Sequence, residues 1–213
     1  MKKYEAPELH ILAWKATDVV ATSCCNDESD YIPDYKPVIY LYPEDTTNVT
    51  VVLNYDGDLT VTYPTYIDAW NVTATPDGTL TDLSGRKYYC LFWEGMRQNT
   101  YDFSKGFVVP GHKTAEFLEQ SLEKLGLSER EANEFIIYWL PKMCSNAYNL
   151  ISFQAEAYTD HARLEITPAP DTVIRVFMAW KGMEAPVDIE PQELSAPKRN
   201  GFTVIEWGGS QIG

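Results

Sequence analysis

Lys36-Pro37-Val38-Ile39-Tyr40-Leu41-Tyr42-Pro43 is a run of β-branched, aliphatic and aromatic residues with a proline near each end. Such residues suit a pleated backbone, and proline removes a donor from a hydrogen-bonded ladder, so the prolines belong at the ends of the element. The stretch predicts a buried strand. Tyr40 and its neighbours would then sit inside a sheet that the rest of the chain must supply.

The flanking sequence supplies it. Val49, Val51, Leu53 and Tyr55 alternate with Thr50, Val52 and Asn54, the period-two pattern of a half-buried strand. Asp56-Gly57-Asp58 leads into Leu59 to Tyr63 and reads as the turn of a β-hairpin. Residues 70–75, Pro76-Asp77-Gly78 and 79–81 repeat the design. Lys87 to Gly95 is apolar on both faces, with Tyr89, Leu91 and Trp93 on one and Tyr88, Cys90 and Phe92 on the other, which predicts a central strand. Further strands are expected over 106–109, 148–154, 162–166 and 172–180.

Helical spacing appears in one region. Ala115, Leu118, Leu122 and Leu125 form a stripe, with Thr114 as expected N-cap and Gly126 as the C′ residue. Ser128-Glu129-Arg130-Glu131 is a capping box for a second helix that Pro141 is expected to end. The short link predicts an αα-hairpin on one face of an antiparallel or mixed sheet, a β-sandwich-like α+β fold. Three segments follow: a leader-like stretch and acidic linker over 1–34, a core over 35–182, and a Pro-rich extended arm over 183–213. Phe202 to Trp207 of that arm could dock back as a strand.

A chain of 213 residues suits one domain burying roughly 70% of its unfolded surface. The formal charge of −14 repels phosphate backbones and anionic headgroups, which argues against nucleic acid and membrane surfaces as partners. No apolar run reaches the eighteen or so residues of a membrane helix. His10, Lys15 and Asp18 interrupt the possible apolar core of an N-terminal signal, so a cytoplasmic location is expected, with export or surface attachment through Cys24 and Cys25 as the alternative. Cys90 and Cys144 stand apart, without metal-knuckle spacing, and neither metal nor cofactor is expected.

Lys36 to Pro43, Leu91-Phe92-Trp93-Glu94-Gly95, Gly106 to Gly111, Tyr138-Trp139-Leu140-Pro141 and Arg175 to Trp180 together resemble a family of uncharacterised, mainly bacterial proteins. The resemblance spans most of residues 36–207 and implies one intact domain. It implies no chemistry.

Candidate site residues therefore come from side-chain type and position. Glu94, between Trp93 and Gly95, is a candidate general acid or base, with His112, His161, Glu156 or Asp160 as a second group; it also reads as an ion-pair partner of Arg175 or Arg97. Arg175, in an apolar strand, needs a carboxylate, and Glu94 and Glu165 are the expected partners. Tyr40, Tyr42, Trp93, Tyr148 and Arg175 are candidate ligand contacts, because aromatic rings stack on sugars and peptides. The reading is a non-enzymatic binding module with an aromatic-lined groove for a small molecule, glycan or peptide. The alternative is a glycosidase-type hydrolase using Glu94.

Overall fold

The computed structural model describes residues 31–98 and 101–212. Its strands are β1 (Tyr31–Tyr42), β2 (Thr47–Tyr55), β3 (Asp58–Tyr63), β4 (Trp70–Ala74), β5 (Leu80–Asp82), β6 (Lys87–Tyr88), β7 (Leu91–Gln98), β8 (Phe107–Pro110), β9 (Tyr148–Phe153), β10 (Ala162–Thr167), β11 (Thr172–Met183) and β12 (Thr203–Gln211). The helices are α1 (Thr114–Lys124), α2 (Glu129–Met143) and α3 (Ala155–His161).

The fold is α+β, with three layers. A seven-stranded sheet in the order β3-β7-β1-β12-β11-β9-β8 lies between a five-stranded sheet, β10-β2-β4-β5-β6, and the α1–α2 hairpin. The large sheet is mixed, since β11 and β12 run parallel while its other pairings are antiparallel. Alternation along β1 makes the layering: Ile39 and Leu41 enter the core between the sheets, and Val38 and Tyr40 enter the core under the helices. β12 does the same with Val204 on one face and Ile205 and Trp207 on the other.

The helix pair follows its sequence signals closely. Gly126 has φ +83°, Leu127 N–H donates to the Leu122 carbonyl at 3.0 Å and Gly126 N–H to that of Glu123 at 3.0 Å, so a Schellman motif closes α1. Ser128 N–H donates to Glu131 Oε2 at 2.8 Å and Ser128 Oγ accepts from Glu131 N–H, the reciprocal box that opens α2. Two expectations need correction. Lys113, not Thr114, is the α1 N-cap, because the Thr114 hydroxyl is inside the helix accepting from Asn149 Nδ2 at 3.0 Å. Pro141 lies within α2, where it removes the helical donor to the Ile137 carbonyl, on a residue of the helix's exposed face.

Elsewhere the chain changes sheet where a hairpin or a single strand was expected. β2 and β3 belong to different sheets, and β3 pairs with β7 instead. A Cβ on Gly57 would lie 2.6 Å from the Met96 carbonyl oxygen and 2.9 Å from Arg97 Cβ, so this glycine permits close backbone approach as the chain crosses. The expected strand over 87–95 also divides: Lys87 and Tyr88 end the small sheet, Tyr89 and Cys90 cross over, and Leu91 starts β7 in the large one. Residues 155–161, read as a connection between strands, form α3, which delivers the fully buried Tyr158 onto Phe177 with ring centroids 4.2 Å apart. β12 runs between β1 and β11 as an interior strand. The predicted leader and its cysteines lie outside the described residues.

Candidate functional site: an aromatic cleft where the chain changes sheets

The crossing at Tyr89 and Cys90 leaves an opening of about 460 Å³ beside the end of β3. Tyr63, Tyr88, Tyr89 and Phe92 supply its rings, Lys36 and Lys87 its charges, and Val38 and Cys90 complete the lining. Backbone pairing sets the geometry. Tyr63 at the end of β3 is opposite Phe92 in β7, while Tyr88 remains paired with Leu80 in the small sheet, so rings from both layers meet across the gap. Tyr63 and Tyr88 meet edge to face at 5.4 Å. Tyr63 is 50% and Tyr89 52% exposed, which leaves both rings available from outside.

Asp82 organises one wall. Its carboxylate accepts from Ser84 Oγ at 2.6 Å, Ser84 N–H at 2.8 Å, Arg86 N–H at 3.0 Å and the Tyr88 hydroxyl at 2.9 Å. These bonds, Ser84 foremost, hold the Asp82 carboxyl down at about 2. The turn so fixed places the Arg86 guanidinium 5.8 and 5.7 Å from the Tyr63 and Tyr88 ring centroids, with Nη2 donating to the Tyr63 hydroxyl at 2.7 Å. Tyr63 thus uses one lone pair internally and retains its own O–H as a donor. Cys90 contributes no nucleophile: burial, and then the nearby Glu134 carboxylate, push its thiol up to about 12.

Lys36 forms the opposite wall. Its φ is +60°, and β1 shifts register on both sides around it, between Tyr35 and Val38 against β12 and between Asp34 and Val38 against β7. Pro37 cannot donate to a ladder, and Lys36 N–H turns out of it to donate to Glu94 Oε1 at 3.2 Å. Lys36 Nζ lies 5.6 Å from the Phe92 ring centroid and 5.4 Å from that of Tyr138, and Lys142 Nζ is 3.6 Å from the Tyr138 ring. The Tyr138 phenol is raised to about 12, by burial first and by Glu94 second.

Of the residues singled out in the sequence, Arg175, Glu156 and Asp160 line one opening of about 700 Å³, and the others are dispersed. Tyr40 is buried under the helices, its hydroxyl donating to Glu134 Oε2 at 2.6 Å and accepting from Trp207 Nε1 at 3.2 Å. It supports the cleft from behind, 6.4 Å from Tyr89 between ring centroids and 6.2 Å from Tyr42. Tyr42 is half-buried beside Glu131 and Arg199. Trp93 lies on the other face of the sheet, fully buried, with Nε1 donating to Glu206 Oε1 at 3.1 Å. Tyr148 starts β9, toward the opposite edge of the large sheet.

Arg175 also has a different partner from those expected. Its Nε donates to Glu206 Oε2 at 2.5 Å, and its guanidinium carbon lies 4.6 Å from the Tyr158 ring centroid. Neither Glu94 nor Glu165 is involved, because β11 and β12 place Arg175 directly opposite Glu206. Arg97 is likewise committed to Asp34 at 3.2 Å, and Asp34 also accepts from the Tyr101 and Tyr55 hydroxyls at 2.7 and 2.8 Å. Burial raises the Asp34 carboxyl despite the opposing Tyr101 and Arg97 contacts.

Glu94 and His112 are not neighbours. His112 follows β8, five strand spacings from β7, or about 24 Å at ~4.8 Å each. His161 is 3.7 Å from Asp56, and Glu156 and Asp160 lie on α3. Three larger openings occur among the described residues: about 550 Å³ between α1 and α2, and about 650 and 700 Å³ beside residues 192–197, none of them lined by a cluster of aromatic rings. Among the described residues no cluster of three or more His, Cys, Asp or Glu side chains could hold a metal, and no helix is long and apolar enough to cross a membrane.

Tyr63, Tyr89, Phe92 and Lys36 are among the cleft residues that the sequence reading passed over as contacts. Their signal was weak: Tyr63 ends an alternating strand and Tyr89 sits inside an unbroken apolar run.

No family model and no solved structure matches the chain. The uncharacterized protein in the bglA 3′ region of Butyrivibrio fibrisolvens is 51% identical over 65 residues, covering 29% of this chain and 67% of that protein.

Proposed function

Since the chain belongs to the bacterial family of that uncharacterised Butyrivibrio fibrisolvens protein, we propose its function from the geometry alone: a binding module whose aromatic cleft takes a glycan. The observation that carries this reading is the convergence of Tyr63, Tyr88, Tyr89 and Phe92 on one opening of about 460 Å³. That volume lies in the range of small-ligand sites, and half-exposed tyrosines offer flat faces for sugar rings together with hydroxyls for their polar edges.

Binding, rather than turnover, fits the chemistry of the lining. The cleft-lining thiol is protonated at neutral pH, and among the described residues no carboxylate or imidazole lines the opening. Glu94 accepts from the Lys36 amide behind one wall, and a glycosidase-type hydrolase would need a second carboxylate or an imidazole beside it.

A glycan microarray probed with the parent protein and with Tyr63→Ala/Tyr88→Ala tests the reading. The parent is expected to retain a defined set of glycans that the double variant loses by at least tenfold. Equal retention by both proteins would contradict it.

A further inference from the structure

We propose that the cleft selects acidic glycans, with Lys36 Nζ as the contact for a uronate carboxylate. This deepens the glycan reading and rests on it. The first ground is charge. In a chain of net charge −14, the described residues that line the opening include two lysines and no acid, while Arg86 and Asp82 stand together behind one wall and Glu94 and Glu134 behind the other. The charges that face the opening directly are thus cationic, which favours an anionic ligand there over a neutral one.

The second ground is the state of Lys36. Among the described residues it is the only non-glycine at positive φ, a conformation that glycine would occupy without strain. The bulge, Pro37 and the Glu94 carboxylate together hold the backbone there. What glycine could not supply is the ammonium group, which lies over the faces of Phe92 and Tyr138. Among the described residues that ammonium makes no ion pair within 4.0 Å. The nearby Glu94 is engaged by the Lys36 amide, and Glu134 by the Tyr40 hydroxyl. A cation resting on aromatic faces at the mouth of a ring-lined cleft is placed to meet a carboxylate on a stacked sugar.

The experiment uses a galacturonate trisaccharide and its carboxyl-reduced neutral counterpart, titrated calorimetrically into the full chain, Lys36→Gly and Lys36→Met. The parent is expected to bind the acidic sugar at least tenfold tighter than the neutral one. Both variants should lose that difference, and Lys36→Gly should melt at or above the parent temperature, since it removes backbone strain. Equal affinity for the two sugars in the parent, or an undiminished preference in Lys36→Gly, overturns the carboxylate contact and leaves the glycan cleft standing. Binding of neither sugar by the parent overturns the contact, and a blank glycan array beside it overturns the cleft as well.

Discussion

The backbone N–H of Lys36 donates to Glu94 Oε1 at 3.2 Å, tying together residues 58 positions apart in β1 and β7. This bond stands in for the ladder bond that the bulge at Lys36 and Pro37 removes. Glu94→Ala leaves that N–H without its charged acceptor and is expected to cost about 1–2 kcal/mol. Glu94→Gln retains an oxygen acceptor and should cost less than half as much. Urea denaturation of both variants measures this; equal losses would mean that the carboxylate acts through charge rather than through the amide.

Arg175 and Glu206 form a buried ion pair beside the one between Arg97 and Asp34, and Glu206 also accepts from Trp93 Nε1. Glu206→Ala strands a guanidinium whose side chain is only 8% exposed and is expected to cost about 3–5 kcal/mol. Replacing both partners, Arg175→Met with Glu206→Leu, should recover most of that loss. A double variant as unstable as the single one would show that Trp93 and Tyr158, not the charge pair, set the energetics.

Gly95 lies under Tyr55. A Cβ there would overlap Tyr55 Cε1, and the ring cannot swing away freely because it packs on Trp93 at 4.8 Å and its hydroxyl donates to Asp34. Gly95→Ala is expected to destabilise by about 1–3 kcal/mol through overpacking. Adding Tyr55→Leu should relieve the clash, and thermal melts of the single and double variants would show whether it does.

Glu131 gives the fold a defined acid sensitivity. Burial alone would raise its pKa, but the Arg199 guanidinium, the Ser128 amide and Tyr42 outweigh burial and hold it below 4.5. With the folded value below the unfolded one, falling pH protonates the unfolded chain first. The stability this carboxylate supplies is therefore present above pH 4.5 and lost as pH falls through the lower folded value. The stability gap between the parent and Glu131→Gln should be constant above that range and close below it. A gap that widened on acidification would reverse the assigned direction of the shift.

How much of this was legible beforehand depended on the range of the interaction. Val38 to Leu41 announced a two-faced strand because alternation is a property of the residues themselves, and Ser128 with Glu131 announced a helix start because a capping box spans four residues. Gly57 shows the limit. It sits where a turn glycine would, yet what requires it is the Met96 carbonyl, a neighbour set by which strand β3 pairs with. Arg175 revealed its need for a carboxylate, but the choice of Glu206 followed from the parallel register of β11 and β12. The cleft was least legible for the same reason. Tyr63 and Tyr88 meet only because consecutive segments leave one sheet for the other, and no local pattern records that exchange.

The account turns on the opening at Tyr63, Tyr88, Tyr89 and Phe92 being where a ligand sits. Amide chemical-shift mapping during titration with the galacturonate trisaccharide reads that location directly. The expected result is a contiguous set of shifts confined to Lys36, Tyr63 and residues 86–92, absent when the same sugar is added to the Tyr63→Ala/Tyr88→Ala protein. Shifts centred instead on the openings beside residues 192–197, with those cleft amides unmoved, would contradict it.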